Sequence, residues 1–193
     1  MIIGITGGSG SGKTTLLQLV AQLGGTVLDC DAIYHQLLRE DTSLLEAIAQ
    51  RFPGTVTQGV LDRKKLGQVV FSDAQALEDL NRITHSAVRE KVASLLPAHP
   101  ALAAIDAIGL FEGGLAPYCD VTVAVTAPED HRIARLMARD GIDRAYAQKR
   151  IRAQKSDLWF RQMCDHVLEN NGTEEDFQNK CLAFLQGLGI MKL

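Results

Sequence analysis

Residues 1–15 read Met1-Ile2-Ile3-Gly4-Ile5-Thr6-Gly7-Gly8-Ser9-Gly10-Ser11-Gly12-Lys13-Thr14-Thr15. An apolar, strand-like run leads directly into the pattern Gly-x-x-x-x-Gly-Lys-Thr, and a helix-compatible segment follows it. Glycines at these spacings let successive backbone N–H groups curl around an anion, while the next helix adds the positive end of its dipole. The stretch therefore predicts a strand, a phosphate-binding loop (P-loop) and a helix, in that order.

The loop predicts a nucleoside triphosphate as its ligand. Lys13 is placed to reach the β- and γ-phosphates, and the Thr14 hydroxyl is placed to bind the Mg²⁺ that bridges them. The motif leaves the choice between ATP and GTP open, and a glycine-rich turn that only joins a strand to a helix is the structural alternative. The expected nucleotide-binding residues are Gly8, Ser9, Gly10, Ser11, Gly12, Lys13, Thr14 and Thr15.

The composition is typical of one globular domain. The chain has 193 residues, of which 46% are hydrophobic, and a net charge of −3, so no overall field favours nucleic acid or an anionic membrane. The four cysteines lie far apart, without a Cys-x-x-Cys pair, which suits reduced thiols. We expect a cytoplasmic protein without signal peptide, membrane span or nucleic-acid partner; its oligomeric state is not predicted.

Apolar strand-like runs alternate with longer helical patterns, which predicts an α/β fold with a five-stranded parallel sheet flanked by helices. We expect a single P-loop kinase domain over residues 1–193, with a core (about 1–40, 100–130 and 160–193), a helical substrate-binding insertion (about 41–99) and a helical lid (about 131–157). The expected strands are 2–6, 26–29, 102–106, 121–126 and 166–168. The expected helices are 13–23, 31–38, 42–51, 62–70, 73–96, 128–139, 144–154 and 173–186.

Two acidic positions follow predicted strands. Asp29-Cys30-Asp31 ends the second strand, where a carboxylate could accept the proton of an attacking hydroxyl, but either aspartate could equally cap the next helix. Asp106 ends the third strand, and we interpret it as a ligand of Mg²⁺ or its waters rather than a turn residue. Ala107 stands where many ATP-driven motors carry a hydrolytic glutamate, which disfavours that class.

Basic charge is concentrated between residues 132 and 155, where eight lysines and arginines face two aspartates, a net charge of +6. This segment resembles the helix–turn–helix lid of small-molecule kinases, which folds arginines over the transferring phosphate and excludes water. We expect Arg139 first, and then Arg135, to contact phosphate when substrates close the lid. Most of the other basic side chains are expected to be solvated.

Nearly the whole chain resembles the dephospho-coenzyme A kinase family. Its loop is similar to the family's Thr-Gly-Gly-x-Gly-Ser-Gly-Lys-Ser-Thr, and Asp29-Cys30-Asp31 resembles its Asp-Ala-Asp element. Ile108-Gly109, where the family commonly has Pro-Leu, and Ser86, where it usually has Pro, depart from the pattern. The middle of the chain matches the family's coenzyme-binding lobe in order and spacing at Gly59-Val60-Leu61-Asp62-Arg63, Leu66, Val70-Phe71, Leu80-Asn81, Ile83 and His85, and Leu110-Phe111-Glu112 follows Asp106.

The resemblance implies transfer of a phosphoryl group from MgATP to the ribose 3′-hydroxyl of dephospho-coenzyme A. It implies Asp31 as the catalytic base, assisted by Lys13 and Arg139, and four further substrate-binding residues: Arg63, Asn81, His85 and Glu112. His85, Asn81 and Glu112 could alternatively serve only packing. Two other functions remain open: another small-molecule P-loop kinase of the shikimate or gluconate type, and a nucleotide-binding regulatory switch.

Overall fold

The computed structural model describes residues 1–190, and its central element is a five-stranded sheet in the order β2-β5-β1-β6-β7. β1 runs parallel to β5, with Ile5 opposite Asp106, and parallel to β6, with Ile3 opposite Val121; β6 in turn runs parallel to β7. The predicted fold class is confirmed. The strands are β1 (Ile2–Thr6), β2 (Thr26–Asp29), β5 (Ala103–Asp106), β6 (Val121–Thr126) and β7 (His166–Glu169).

The chain divides into two compact units, and the first contains most of the sheet. It comprises Met1–Leu28, Ala98–Leu110 and the described residues from 115 onward. Its core joins the fully buried Ile3 and Ile5 of β1 to apolar side chains of α1 and α9. Burial on both faces explains why β1 is an uninterrupted apolar run. The helices of this unit are α1 (Lys13–Gln22), α6 (Glu129–Asp140), α7 (Arg144–Arg152), α8 (Asp157–Met163) and α9 (Glu174–Gly187), with a 3₁₀ turn at Ala116–Tyr118.

The second unit, Asp29–Pro97 with Phe111–Gly114, is mainly helical. Its helices are α2 (Cys30–Glu40), α3 (Thr42–Arg51), α4 (Arg63–Val70) and α5 (Ala74–Leu95), and α5 packs against the other three. Each begins after an aspartate whose carboxylate accepts a hydrogen bond from the first turn, which satisfies a backbone N–H that has no partner within the helix. These N-caps are Asp29, Asp41, Asp62 and Asp73.

Four short elements lie outside the predicted set. β3 (Val56–Thr57) and β4 (Val60–Leu61) form a hairpin whose turn residues, Gln58 and Gly59, have φ of 50° and 75°. Two successive residues with positive φ suit a two-residue turn between twisted strands. α8 and the 3₁₀ turn were likewise not predicted, because elements this short give little periodic signal. Within residues 1–190 no helix is long and apolar enough to cross a membrane.

Candidate active site

The loop between β1 and α1 has the geometry that its sequence predicts for phosphate binding. Gly12, immediately before α1, has φ of 102°, a conformation that residues with a Cβ rarely adopt. Lys13 begins the helix and folds back, so that its Nζ donates to the Gly7 carbonyl oxygen at 3.1 Å. The lysine ammonium is therefore held over the loop, on the side where a polyphosphate would lie.

Lys13 also lies beside the acid that ends the neighbouring strand. Its Nζ is 3.9 Å from Oδ1 of Asp106, and both side chains are largely buried, with 13% and 18% of their surfaces exposed. This proximity follows from the pairing of β1 with β5, since the carboxyl ends of parallel strands meet at one edge of the sheet. Thr14 follows Lys13 and is exposed. The loop thus combines a cation with carboxylate and hydroxyl oxygens.

Arg132 of α6 packs directly onto the loop. It is 5% exposed, and its Nε donates to the Ser9 carbonyl oxygen at 3.0 Å. A Cβ added to Gly8 would collide with this guanidinium, so glycine at that position permits the close approach. Asp157, whose Oδ1 is 3.5 Å from Arg132 Nη1, compensates the buried charge.

Arg135, one helical turn later, and Asn170, after β7, hold the second half of the loop. Arg135 Nη1 donates to the carbonyl oxygens of Gly10 and Ser11, each at 3.2 Å. The buried Asn170 donates to Ser11 O at 2.9 Å and accepts from Arg135 Nη2 at 3.2 Å. Outward-facing carbonyls of the loop are thereby satisfied by fixed donors, which stabilises its curvature.

Arg139 is paired with Asp140 in this structure and not with the phosphate-binding loop. Its Nε and Nη2 donate to the two carboxylate oxygens of Asp140 at 2.7 and 3.0 Å, and 60% of its side chain is exposed. The hydrogen bond from Arg139 is the main cause that lowers the pKa of Asp140, and Arg150 adds to it. Contact between Arg139 and phosphate, as predicted from the sequence, would require this pair to open.

Within the second unit, Asp29 and Asp31 have different surroundings. Asp29 is the N-cap of α2, and its Oδ1 accepts from the Ala32 N–H at 2.9 Å. Asp31 lies in the first turn and is exposed, and within residues 1–190 its side chain has no hydrogen bond or ion pair. The structure thus assigns the capping role, which the sequence left open between the two, to Asp29.

The remaining predicted substrate residues also lie in the second unit, where His85 and Glu112 come together. His85 bonds to the backbone of Glu112, and its pKa is lowered, mainly by burial and next by the charge of Arg89. Arg89 Nη1 donates to the Gly113 carbonyl oxygen at 3.3 Å. Arg63 at the start of α4 and Asn81 on α5 are exposed.

The contact of Asn170 with the phosphate-binding loop was not predicted from the sequence. A single asparagine in the segment Glu169-Asn170-Asn171-Gly172 is typical of a turn, so no local pattern distinguishes a residue that contacts the loop. Only the pairing of β7 with β6 brings this turn to the loop's edge of the sheet.

P-loop proteins hold a nucleoside triphosphate with a glycine-rich loop, a lysine at the start of the helix that follows it, and a carboxylate at the end of an adjacent parallel strand, and Lys13 and Asp106 stand at these places. Arginines of α6 lie against that loop, and the fold and site together place the protein in the P-loop kinase class.

Comparison with known proteins specifies the family. The family model described as dephospho-CoA kinase matches residues 1–176. A protein named dephospho-CoA kinase from Syntrophotalea carbinolica is 34% identical over 97% of this chain and 92% of its own length. The chain belongs to the dephospho-CoA kinase family and is an ATP-dependent kinase.

Two solved structures are similar to this chain over nearly its whole length. The crystal structure of TT1252 from Thermus thermophilus is 37% identical, covers 97% of both chains and superposes with a TM-score of 0.77. A dephospho-CoA kinase from Campylobacter jejuni is 25% identical, covers 98% of both chains and has a TM-score of 0.68. These matches favour the dephospho-CoA kinase family over the shikimate or gluconate type and over a regulatory switch.

Proposed function

We propose that this protein transfers the γ-phosphoryl group of ATP to the ribose 3′-hydroxyl of dephospho-coenzyme A, giving coenzyme A and ADP. Family membership supports the acceptor. One structural observation carries the transfer chemistry: Asp29 caps α2, so the exposed carboxylate of Asp31 is available for another role.

In this proposal the P-loop binds the nucleotide. Backbone N–H groups of residues 8–13, apart from that of Ser9, and the Lys13 ammonium hold the β- and γ-phosphates, and the bond from Lys13 Nζ to Gly7 O keeps that ammonium over the loop. Ser9 differs from its neighbours, because its N–H donates to Gln154 Oε1 at 2.9 Å. A contact between the Ser9 N–H and phosphate would require that bond to break.

Thr14 and Asp106 fit a magnesium ion. Mg²⁺ prefers oxygen ligands and is commonly held by one or two protein oxygens together with substrate phosphates and water. One hydroxyl and one carboxylate at the loop satisfy this requirement, with Lys13 Nζ 3.9 Å from the carboxylate. When bound, the ion supplies charge neutralisation on the phosphates.

Asp31 accepts the proton of the ribose 3′-hydroxyl while the oxygen of that hydroxyl attacks the γ-phosphorus. The bond between that phosphorus and the β–γ bridging oxygen breaks, and ADP leaves with the electron pair. Arg139, released from Asp140, stabilises the charge on the transferring group, and Arg135 joins it only if its Nη1 leaves the Gly10 and Ser11 carbonyl oxygens. A positioned general base contributes about 10²–10⁴-fold to such a step.

Arg63, Asn81, His85 and Glu112 hold dephospho-coenzyme A in this proposal. All four lie in the helical unit, and the bond between His85 and the Glu112 backbone joins two segments far apart in the sequence. Exposed Arg63 and Asn81 are available to a polar, phosphate-bearing substrate.

We also place the protein in the cytoplasm. Cys30, Cys119, Cys164 and Cys181 form no disulfide, each is buried or half-buried, and burial raises the pKa of Cys119 and of Cys181 to about 12. Protected thiols suit a reducing compartment. Cell fractionation followed by detection of the protein tests this placement.

The proposed activity is tested by an ADP-release assay with dephospho-coenzyme A, shikimate, gluconate and nucleosides in parallel. We expect ATP- and Mg²⁺-dependent ADP release with dephospho-coenzyme A alone, and a product with one added phosphate at the 3′ position by ³¹P NMR. ADP release stimulated by shikimate or gluconate, and not by dephospho-coenzyme A, would show that the acceptor is a different alcohol. Slow hydrolysis that no acceptor stimulates would contradict the transfer reaction altogether.

A further inference from the structure

Every polar atom of Ser9 is bonded to a side chain from the lid segment. Its N–H donates to Gln154 Oε1 at 2.9 Å, its hydroxyl accepts from Gln154 Nε2 at 2.7 Å, and its carbonyl accepts from Arg132 Nε at 3.0 Å. Ser9 is 5% exposed, so little water competes for these bonds. The first half of the phosphate-binding loop is thus attached to residues more than a hundred positions away in sequence.

Gln154 and Arg132 also fix each other. Arg132 Nη2 donates to Gln154 Oε1 at 3.1 Å, so this oxygen accepts two hydrogen bonds while Nε2 donates a third. The opposite orientation of the amide would bring Nε2 against the donors of Ser9 and Arg132. Gln154 therefore has one satisfactory orientation, and glutamine is a side chain that supplies this acceptor and donor together.

This arrangement constrains the loop at a functional position. A loop that binds phosphate through backbone N–H groups depends on the direction of each peptide, and displacement by about 1 Å can cost on the order of 10²-fold in rate. The Gly8–Ser9 peptide cannot turn without breaking its bond to Gln154, and the Ser9–Gly10 peptide cannot turn without breaking its bond to Arg132. The N–H of Ser9 is bonded to Gln154, so the role of Ser9 is to hold the backbone of the loop in place.

We propose that Gln154 is a positioning residue of phosphoryl transfer, which together with Arg132 ties the Ser9 peptide to the lid and makes the shape of the phosphate-binding loop depend on the lid. The inference rests on the proposed function only in taking this loop to hold ATP. Gln154 contacts no reacting atom in this role, since it acts through the loop.

The test compares Gln154→Ala with the control Gln162→Ala, which changes an exposed glutamine of α8. Steady-state kinetics give kcat and both KM values, and calorimetric titration with ADP gives nucleotide affinity without turnover. For Gln154→Ala we expect kcat/KM for ATP to fall about 10- to 100-fold and ADP to bind correspondingly more weakly, with KM for dephospho-coenzyme A changed less than about twofold. The control should match the wild type.

A double-mutant cycle with Ser9→Ala separates positioning from general destabilisation. Because the two side chains share a hydrogen bond, we expect the loss from Gln154→Ala to be smaller in the Ser9→Ala background. If Gln154→Ala does not fold, Ser9→Ala, which removes the single bond to Gln154 Nε2, carries the test with about threefold weaker ADP binding.

The results separate this inference from the proposed reaction. Absence of dephospho-coenzyme A phosphorylation by the wild type would overturn the reaction, while ADP affinities would still report on the loop. ADP affinity and kcat/KM for ATP within about twofold of wild type in Gln154→Ala, or strict additivity in the cycle, would overturn the positioning role.

Discussion

Asp29 and Asp31 are two positions apart but face different surroundings. The carboxylate of Asp29 accepts a hydrogen bond from the first turn of α2, a local structural contribution typical of N-caps. Asp31 is already within that turn, where its side chain is exposed and cannot cap the helix. Stability should therefore depend on the first aspartate and catalysis on the second.

Asp31→Asn should reduce kcat by at least about 10²-fold with little change in ADP affinity, because the amide cannot accept the acceptor's proton. The measurement combines the ADP-release assay with calorimetric ADP titration. A variant with near-wild-type kcat would remove Asp31 from the chemistry.

Asp29→Ala is the matched comparison. Loss of the cap should lower the free energy of unfolding by about 1 kcal/mol in urea denaturation, while Asp31→Asn leaves it nearly unchanged. A larger loss of stability from Asp31→Asn than from Asp29→Ala would contradict the division of roles.

At the scale of elements, α3 and α5 are joined by a group of charges around Asp79. This aspartate is 7% exposed, and its two oxygens accept from Arg51 Nε and Arg82 Nη2, each at 2.7 Å. The hydrogen bond from Arg51 is the largest cause that lowers the pKa of Asp79. Arg51 lies on α3, so this bond connects the two helices, whereas Arg82 lies on α5 itself.

Asp79 should make the protein's stability depend on pH in the acidic range. Its pKa is lower in the folded protein than in the unfolded chain, where it is about 3.9, so the stabilisation is present above that value. It is lost as the pH falls further through the folded pKa, because the unfolded state then binds more protons. Asp79→Asn should lower the urea midpoint at pH 7 and flatten its decrease between about pH 5 and pH 2.

Arg51→Ala and Arg82→Ala provide the controls for this group. Arg82 is 76% exposed and bonds within its own helix, so its removal should matter less than removal of Arg51. Equal midpoints for the wild type and Asp79→Asn at pH 7 would show that the ion pair between α3 and α5 does not stabilise the fold.

At the scale of the whole molecule, nucleotide binding should stabilise the folded chain. A ligand at about 100 times its Kd adds about 2.7 kcal/mol, which corresponds to roughly 5–10 °C in Tm for a chain of this size. Lys13→Ala should abolish most of the ADP-dependent rise in Tm, because its ammonium lies over the loop. Thermal unfolding with and without ADP measures this, and an undiminished shift in Lys13→Ala would exclude the lysine from nucleotide binding.

Much of the fold could be predicted from local sequence. Each strand of the main sheet was expected within a residue of its observed bounds, since apolar runs between turn residues are a strong signal of buried strands. The hairpin at 56–61 and α8 were not expected, because elements so short have too few residues to show a period. The functional roles of the site residues stay predictions.

The sequence by itself determined the phosphate-binding loop, the parallel α/β fold and the family, because these depend on short-range spacing and on patterns that recur along the chain. Only the tertiary structure decided that Asp29 caps α2 and that Gln154, Arg132 and Asn170 hold the loop. The choice of cap depends on where the helix begins, and the contacts to the loop join residues separated by more than a hundred positions. No local pattern encodes such contacts, since they exist only once the strands have paired.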